Sequence, residues 1–270
     1  MSTKYRAFAI DLDGTLLVGE ELPSANIESL RRARDMGIKV MIATARWTHI
    51  AQRIADQIGI RDLIIACSGA QVYDPSRQLD IFDHRLPEEF TKELFDLCNG
   101  ERCIATVTFG ADVRLKLDGE PDMTQMGDEM SWVRALNLDV DDPPRIAAIQ
   151  GSACIARIRS ELQEKFADQV NIFDSIGPSG KIIITITAKA ATKGAALQAA
   201  CEEMGITREQ VVAFGDAEND LEMFKAAGAA VAMGQADETT KSHADYVTRA
   251  NHEAGVGYAV DQILKGEILH

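Results

Sequence analysis

Two aspartates separated by one residue follow a short apolar run near the start of the chain. Residues 7–10 are predicted to be a strand, and Asp11, Asp13 and Gly14 come directly after it. Two carboxylates this close repel each other unless a cation lies between them. Gly14 permits the chain to turn at this point. Since Mg²⁺ prefers carboxylate and carbonyl oxygens as ligands, the sequence predicts a magnesium site here.

Three further polar features lie at the ends of predicted elements. Thr44 follows an apolar strand over 38–43, Lys193 begins a helix, and the segment GDAEND at 215–220 follows a strand over 211–214. Open α/β sheets bind ligands beyond the carboxyl ends of their strands, so we expect these features to converge on the two aspartates. An acidic metal site flanked by a lysine, a threonine and an asparagine suits phosphoryl transfer, which depends on positioning and charge neutralisation.

The elements that must position these groups alternate between apolar strands and amphipathic helices. This alternation in residues 1–82 and 188–270 predicts an α/β class, with a Rossmann-like core built on a parallel sheet. Residues 83–187 follow another pattern, with a hairpin over 103–109 and 113–118 and a β-branched strand over 182–186. We therefore predict a core over 1–82 and 188–270, interrupted by an inserted α+β domain over 83–187.

Apolar residues at helical spacing predict which helix faces are buried. The predicted faces are Ile27, Leu30 and Ala33; Ile50, Ile54 and Ile58; Phe90, Leu94 and Leu97; Ile155, Ile158, Leu162 and Phe166; and Leu197, Ala200, Cys201 and Met204.

Composition limits the functional classes. The chain has 270 residues, 46% of them hydrophobic, and a net charge of −14. The apolar fraction excludes intrinsic disorder, while the acidic charge disfavours nucleic acid and anionic membranes as partners. No apolar stretch is long enough to cross a membrane, and the first ten residues do not resemble a signal peptide. These features predict a cytoplasmic protein.

Other possible sites are weaker. The five cysteines are an odd number without a C-x-x-C pair, which argues against both a disulfide framework and a zinc site. The segment 177–181 (GPSGK) resembles the end of a P-loop but precedes a strand instead of a helix, so it predicts a hairpin turn. The segment 139–144 (DVDDPP) is predicted to be an exposed connector.

The four polar features, taken in order, resemble the motifs of the haloacid dehalogenase-like hydrolases. The matching residues are DLDGTL at 11–16, Thr44, Lys193-Gly194 and GDAEND at 215–220. The insert and the segment 251–260 (NHEAGVGYAV) look like the large-cap, Cof-type phosphatases of that superfamily. The resemblance covers essentially the whole core, whereas the insert matches only in place and size. It implies a Mg²⁺-dependent phosphatase acting on a small phosphorylated metabolite, such as a sugar phosphate, with the insert as the cap that sets specificity.

The resemblance also implies roles for individual residues. Asp11 would be the nucleophile that forms an aspartyl-phosphate, and Asp13 would act as general acid and then general base. The metal ligands would be Asp11, Asp13 through its backbone carbonyl, Asp216 and Asp220, with Asp220 either orienting the metal shell or holding Lys193. The phosphoryl group would be held by Thr44, Ala45, Lys193 and Asn219.

Two departures from the family pattern affect the loops that line the site. The family often has Thr-Gly-Arg where this chain has residues 44–46 (TAR), and Asn-Gly-Ala where it has residues 68–70 (SGA). Arg46 and His49 follow Thr44 closely enough to reach a substrate. Two alternatives remain open from the sequence, namely a phosphomutase and a non-catalytic switch that is phosphorylated on aspartate. Asp13 and the insert argue against the switch.

Overall fold

The structure is a computed structural model that describes residues 4–110, 112–119, 130–139, 142–176 and 180–270. The chain forms two compact units, a core unit of residues 1–83 and 192–270 and an inserted unit of residues 84–191. The inserted unit was predicted to cover residues 83–187. Its first boundary in the structure lies one residue later than predicted, and its second boundary lies four residues later. Residues 188–191 belong with the inserted unit because Asn171 donates hydrogen bonds to the carbonyl oxygens of Ala188 and Lys189.

The core unit is built on an eight-stranded sheet in the order β14-β13-β12-β1-β2-β3-β4-β5. Its strands are β1 (Ala7–Ile10), β2 (Lys39–Ala43), β3 (Ile64–Ala66), β4 (Gln71–Asp74), β5 (Leu79–Asp83), β12 (Val211–Gly215), β13 (Ala229–Ala232) and β14 (Tyr246–Val247). The strands from β14 to β3 are parallel, and every residue of β1 is buried. The predicted α/β class with a parallel core sheet is confirmed, whereas β4 and β5 add an antiparallel edge that the sequence analysis did not predict.

Helices of the core unit connect these strands. They are α1 (Ser24–Asp35), α2 (Thr48–Ile58), α5 (Lys193–Met204), α6 (Leu221–Ala226), α7 (Glu238–Ser242) and α8 (Gly255–Lys265). Leu197, Ala200 and Cys201 of α5 are buried as predicted, but Met204 is only partly buried. In α2, Ile54 and Ile58 are buried whereas Ile50 is not.

The buried face of α1 differs from the predicted one. Leu30 and Ala33 are buried, but Asn26 takes the place expected for Ile27. Asn26 is satisfied there because its amide donates to the carbonyl oxygen of Leu16 at 3.1 Å and its Oδ1 accepts the N–H of Gly257 at 2.8 Å. Hydrophobic spacing cannot find such a residue, since a polar side chain is buried only where partners from distant segments meet it.

The inserted unit packs its helices on a six-stranded sheet in the order β10-β11-β9-β6-β7-β8. Its elements are α3 (Glu88–Gly100), β6 (Ile104–Phe109), β7 (Asp112–Lys116), β8 (Met130–Val133), β9 (Ile146–Gln150), α4 (Ser152–Arg157, continued by a π-helical segment, Ile158–Gln163), β10 (Val170–Ile176) and β11 (Ile182–Ala188). The predicted hairpin is formed by β6 and β7. The predicted apolar faces around Phe90 and Ile158 lie in one buried cluster.

One side chain of the hairpin is buried against expectation. The alternation of Val113, Leu115 and Leu117 predicted one apolar face, yet Lys116 is 5% exposed while Leu115 and Leu117 are only partly buried. Residues 140–141 of the predicted connector and 177–179 of the predicted turn lie outside the described residues. No helix in the described ranges combines the length and apolar character that a membrane crossing requires.

Asp74 stabilises the turn between β4 and β5, and its charge makes this contribution depend on pH. Its Oδ1 accepts hydrogen bonds from the Ser76 hydroxyl at 2.6 Å and the Ser76 N–H at 2.8 Å. Partial burial opposes the charge, but the bonds from Ser76 and Arg77 outweigh it and lower the pKa of Asp74 to about 2. A lowered pKa in the folded state stabilises the protein above the unfolded pKa, and this stabilisation disappears as pH falls toward 2.

Asp74→Asn is therefore expected to destabilise the protein by about 1–2 kcal/mol near neutral pH. The difference from wild type should shrink between about pH 4 and pH 2. Urea unfolding at a series of pH values measures it, with the exposed Asp35→Asn as the matched control. A difference that stays constant down to pH 2 would show that the charge of Asp74 is not what stabilises the turn.

Candidate active site

Three parallel strands bring the predicted residues to one edge of the core sheet. Asp11 follows β1, and its N–H donates to the carbonyl oxygen of Phe214 in β12 at 3.0 Å. Thr44 follows β2 on the other side of β1, and its N–H donates to Ile65 in β3 at 2.9 Å. Because β12, β1 and β2 are adjacent and parallel, the segments that follow them lie side by side.

Lys193 links two of these segments from the first turn of α5. Its Nζ lies 2.6 Å from Oδ1 of Asp11 and 2.7 Å from Oδ1 of Asp220. The three side chains are at most 7% exposed. The helix begins here because the hydroxyl of Thr192 accepts the N–H of Ala195 at 3.1 Å. A buried ammonium thus holds two buried carboxylates that are 209 positions apart in the chain (220 − 11).

Asp220 also shapes the turn that follows β12. Its Oδ2 accepts the backbone N–H groups of Asp216 at 3.0 Å and Ala217 at 3.2 Å. A Cβ on Gly215 would lie 2.5 Å from the side chain of Asp220, so only glycine fits there. Both carboxylate oxygens of Asp220 therefore accept hydrogen bonds within the protein.

Asp216 lies between this turn and the segment after β1. Its Oδ1 accepts a hydrogen bond from the hydroxyl of Thr15 at 3.1 Å. Gly14 adopts a positive φ of 80°, and a Cβ there would lie 2.2 Å from Oδ2 of Asp216. One carboxylate oxygen from each of Asp11, Asp216 and Asp220 lies within 4.8 Å of the others. The turn at Gly14 thus leaves room for this group of oxygens.

The electrostatics of the cluster favour a positive ion. Burial raises the pKa of Asp11 well above its ordinary value, against the attraction of Lys193, and the charge of Asp220 raises it further. Burial and the same charge raise the pKa of Asp216 to about 6. Burial opposes the charge on Lys193, but Asp11 and Asp220 outweigh it and raise the pKa of the lysine. A single lysine therefore does not relieve the repulsion among three carboxylates.

Asp13 lies at the exposed side of the site and is held by an arginine. Nη2 of Arg46 lies 2.6 Å from Oδ1 of Asp13, and Nε lies 3.0 Å from Oδ2. The same guanidinium also contacts both carboxylate oxygens of Glu20, at 2.7 and 2.8 Å. The bidentate geometry fixes the orientation of the Asp13 carboxylate.

The remaining predicted residues lie on the neighbouring turns. Thr44 is fully buried, and its Oγ1 accepts the N–H of Arg46 at 3.0 Å, which leaves the hydroxyl proton free to donate. Ala45 is exposed, and Asn219 is partly buried in the turn after β12. Within the described residues, no hydrogen bond occupies the side-chain amide of Asn219. Ser68 is 7% exposed, and its N–H donates to the carbonyl oxygen of Thr44 at 3.1 Å.

Sequence reasoning missed two contributors to this geometry. Glu20, which shares Nη2 of Arg46 with Asp13, belongs to no motif, and nothing in the sequence marks it. Gly69 has a φ of 90°, and a Cβ there would lie 2.3 to 2.5 Å from the backbone of Thr192 and Lys193. The glycine in segment 68–70 was a signal for this close approach, since only glycine allows the loop to touch the start of α5.

A carboxylate cluster with one buried lysine, at the carboxyl ends of parallel strands, is typical of a hydrolase that acts on phosphorylated groups. The chain belongs to the haloacid dehalogenase-like hydrolases, since the model of that family matches residues 8–260. The predicted family is confirmed.

Relatives and solved structures agree with this assignment. The chain is 30% identical to the 5-amino-6-(5-phospho-D-ribitylamino)uracil phosphatase YcsE of Bacillus subtilis (strain 168), over 94% of each chain. It is also 30% identical to a second 5-amino-6-(5-phospho-D-ribitylamino)uracil phosphatase of that organism, YwtE, over 97% of this chain and 99% of the relative. A haloacid dehalogenase-like hydrolase from Bacteroides thetaiotaomicron has a TM-score of 0.82 at 26% identity, over 96% of this chain and 99% of that chain. The prediction that the chain is a phosphoric monoester hydrolase is confirmed by these matches.

Proposed function

We propose that this hydrolase is a Mg²⁺-dependent phosphatase that removes the phosphoryl group of a small metabolite through an aspartyl-phosphate on Asp11. The observation that carries the proposal is the position of Asp11. Its carboxylate is buried at the end of β1, 2.6 Å from the ammonium of Lys193 and beside the carboxylates of Asp216 and Asp220. A nucleophile that must approach a phosphate dianion needs cationic partners, which Lys193 and an ion held by these carboxylates would provide.

The residues present fit a hard divalent cation. Three carboxylate oxygens lie within 4.8 Å of one another, and the missing Cβ of Gly14 keeps the space beside Asp216 open. Asp11, Asp216 and the backbone carbonyl of Asp13 would hold the ion. We assign Asp220 to Lys193 and the turn after β12, since both of its oxygens accept hydrogen bonds there. When bound, Mg²⁺ neutralises charge on the phosphoryl oxygens.

Asp11 attacks and Lys193 controls its charge. One oxygen of Asp11 accepts the hydrogen bond from Lys193, which leaves the second oxygen to attack phosphorus. Burial favours the protonated carboxyl, while the ammonium favours the ionised form that attacks. Lys193 also offers positive charge to the phosphoryl group as it transfers, together with the hydroxyl of Thr44, the N–H of Ala45 and the amide of Asn219.

Asp13 moves the protons of both half-reactions. It donates a proton to the leaving alkoxide and then removes one from the water that hydrolyses the aspartyl-phosphate. Its exposed position after the turn at Gly14 allows contact with substrate and water. Arg46 keeps the carboxylate in one orientation through the bidentate contact.

Arg46→Gln is expected to lower kcat/KM by roughly tenfold or more, because Asp13 loses the contact that orients it. Steady-state kinetics with p-nitrophenyl phosphate measures this effect. Glu20→Gln is the matched control, since it removes the outer carboxylate and leaves Arg46 on Asp13. If both variants lost activity equally, the ion pair between Arg46 and Glu20 would account for the loss, and the contact between Arg46 and Asp13 would not.

The substrate class follows from the relatives and from the charge of the chain. Two relatives are named for the hydrolysis of a phosphorylated ribitylaminouracil, and a net charge of −14 disfavours nucleic acids. We therefore propose a small phosphomonoester, with a sugar or sugar-alcohol phosphate as the leading candidate. The inserted unit, residues 84–191, would act as the cap that selects it, and the enzyme would work in the cytoplasm.

A phosphate-release assay tests the proposed function. The panel should contain the phosphorylated ribitylaminouracil, several sugar phosphates and phosphoglycolate, first with Mg²⁺ and then with a chelator. We expect release from at least one ester with Mg²⁺ and none after chelation. Isomerised substrate without free phosphate would indicate a mutase, and a phosphoenzyme lasting hours without turnover would indicate a switch.

A further inference from the structure

The inserted unit brings three cysteines together in its hydrophobic core. Cys98 lies in α3, Cys103 precedes β6 and Cys154 lies in α4, and none of them is more than 2% exposed. The sulfurs of Cys98 and Cys154 are 3.8 Å apart, and all three lie within 4.8 Å of one another. Their spacing in the chain matches no metal-binding motif, so the sequence argued against zinc.

The separation of the sulfurs suits a shared ion. Thiolates bind Zn²⁺ at about 2.3 Å, so three of them arranged around one ion lie roughly 4 Å apart. The separation of 3.8 Å between Cys98 and Cys154 agrees with this value, and the other two separations do not exceed 4.8 Å, so small rotations of the side chains would bring the sulfurs onto one ion. A metal would then be bound at once by α3, α4 and the segment between α3 and β6.

A buried lysine supplies charge beside these sulfurs. Lys116 is 5% exposed; its Nζ lies 3.6 Å from the sulfur of Cys103 and 3.1 Å from the carbonyl oxygen of Glu101. Within the described ranges, no carboxylate pairs with this ammonium. A buried cation requires a negative partner, and the group in position to provide one is the thiolate of Cys103.

The fold also provides an approach to the sulfurs. Gly151 has a φ of 138°, and a Cβ there would lie 3.2 Å from Cβ of Cys103 and 2.9 Å from the carbonyl oxygen of Arg102. Glycine therefore allows the start of α4 to approach Cys103. Cys103 borders a cavity of about 840 Å³, together with Asp118 and Ser152. An ion and a water ligand would have to reach the cluster past Cys103, the cysteine that borders this cavity.

We propose that Cys98, Cys103 and Cys154 form a binding site for one thiophilic divalent cation of the Zn²⁺ and Cd²⁺ type. Three thiolates, the ammonium of Lys116 and a divalent ion sum to zero charge, which is what a buried site requires. Mg²⁺ prefers oxygen ligands and does not compete. This site shares no residue with the proposed catalytic site, so either proposal can fail without the other.

Cd²⁺ titration of the full-length, reduced protein in excess Mg²⁺ tests the proposal. We expect a near-ultraviolet thiolate-to-metal absorption band that saturates at one Cd²⁺ per chain. Cys98→Ala and Cys154→Ala should abolish the band at one equivalent. Cys201→Ala, which removes a buried thiol of α5 outside the cluster, and Asp216→Asn should both keep it.

Lys116→Met tests the charge argument while retaining the apolar stem of the side chain. We expect it to weaken Cd²⁺ binding by about 10- to 100-fold, the effect typical of groups that orient metal ligands. Circular dichroism checks the folding of each variant, and native mass spectrometry of the wild type counts bound Cd²⁺ independently. Absence of the band in folded wild type, or an unchanged band in the folded Cys98→Ala and Cys154→Ala variants, would overturn the proposal.

Discussion

Asp11→Asn is expected to lower kcat by at least about 10³-fold, or roughly 4 kcal/mol of transition-state free energy. An amide is a poor nucleophile and carries no charge to attract a cation, while its size matches that of the carboxyl group. The substitution therefore removes the attacking oxygen with little change in packing. Steady-state release of phosphate from p-nitrophenyl phosphate with Mg²⁺ measures the loss.

Two further variants distinguish the loss of the nucleophile from a general loss of folded protein. Asp35→Asn changes an exposed aspartate of α1 and should keep wild-type activity. Asp13→Asn should slow both half-reactions. With labelled p-nitrophenyl phosphate, whose leaving group needs little protonation, it should slow hydrolysis of the aspartyl-phosphate most, so acid quenching is expected to trap phosphate on the chain, but not when Asp11 is also changed. If the folded Asp11→Asn variant turned over at the wild-type rate, the nucleophile would be assigned wrongly.

The convergence of Asp11 with Lys193 could be predicted although 182 positions separate them. Topology explains part of this, since the segments that follow β1, β2 and β12 meet at one end of the parallel sheet. Lys193 begins α5 after the inserted unit, so its position was predicted from the resemblance to the family motifs. The order of the motifs along the chain therefore predicted which side chains meet at the site. The motif order did not predict whether Asp220 contacts the metal or Lys193. In the structure, Asp220 accepts two hydrogen bonds from the backbone of its own turn and one from Lys193.

Contacts that depend on side chains from unrelated segments could not be predicted. Glu20 reaches Arg46, and Asn26 is buried in α1, only because the fold brings distant groups to them. The cysteine cluster of the inserted unit is a third example, since its members come from two helices and the segment between α3 and β6, at irregular spacing in the chain. Hydrophobic periodicity predicts which face of a helix or strand is buried in the core. These contacts instead depend on the positions of individual polar atoms.

Lys193→Met is expected both to abolish turnover and to destabilise the core unit. Methionine fills the volume of the lysine stem but leaves Asp11 and Asp220 buried without their common cation. Breaking a buried ion pair by removing one partner costs about 3–5 kcal/mol. Burial already raises the pKa of Asp11 against the attraction of Lys193, so loss of the ammonium would raise that pKa further above its unfolded value. The contribution of this carboxyl to stability is then present at low pH and lost as pH rises.

The stability of Lys193→Met should accordingly fall more steeply than that of the wild type as pH rises from about 4, the ordinary pKa of an aspartate, toward about 8. Urea unfolding across this range measures it, and Lys225→Met is the matched control because that lysine is exposed and paired with Glu222 on the surface. The double variant Lys193→Met/Asp220→Asn removes the second charge as well, so it should recover part of the lost stability while remaining inactive. If the double variant were as unstable as the sum of the two single changes, the two residues would not be coupled. The loss would then come from packing, and not from two carboxylates left without their cation.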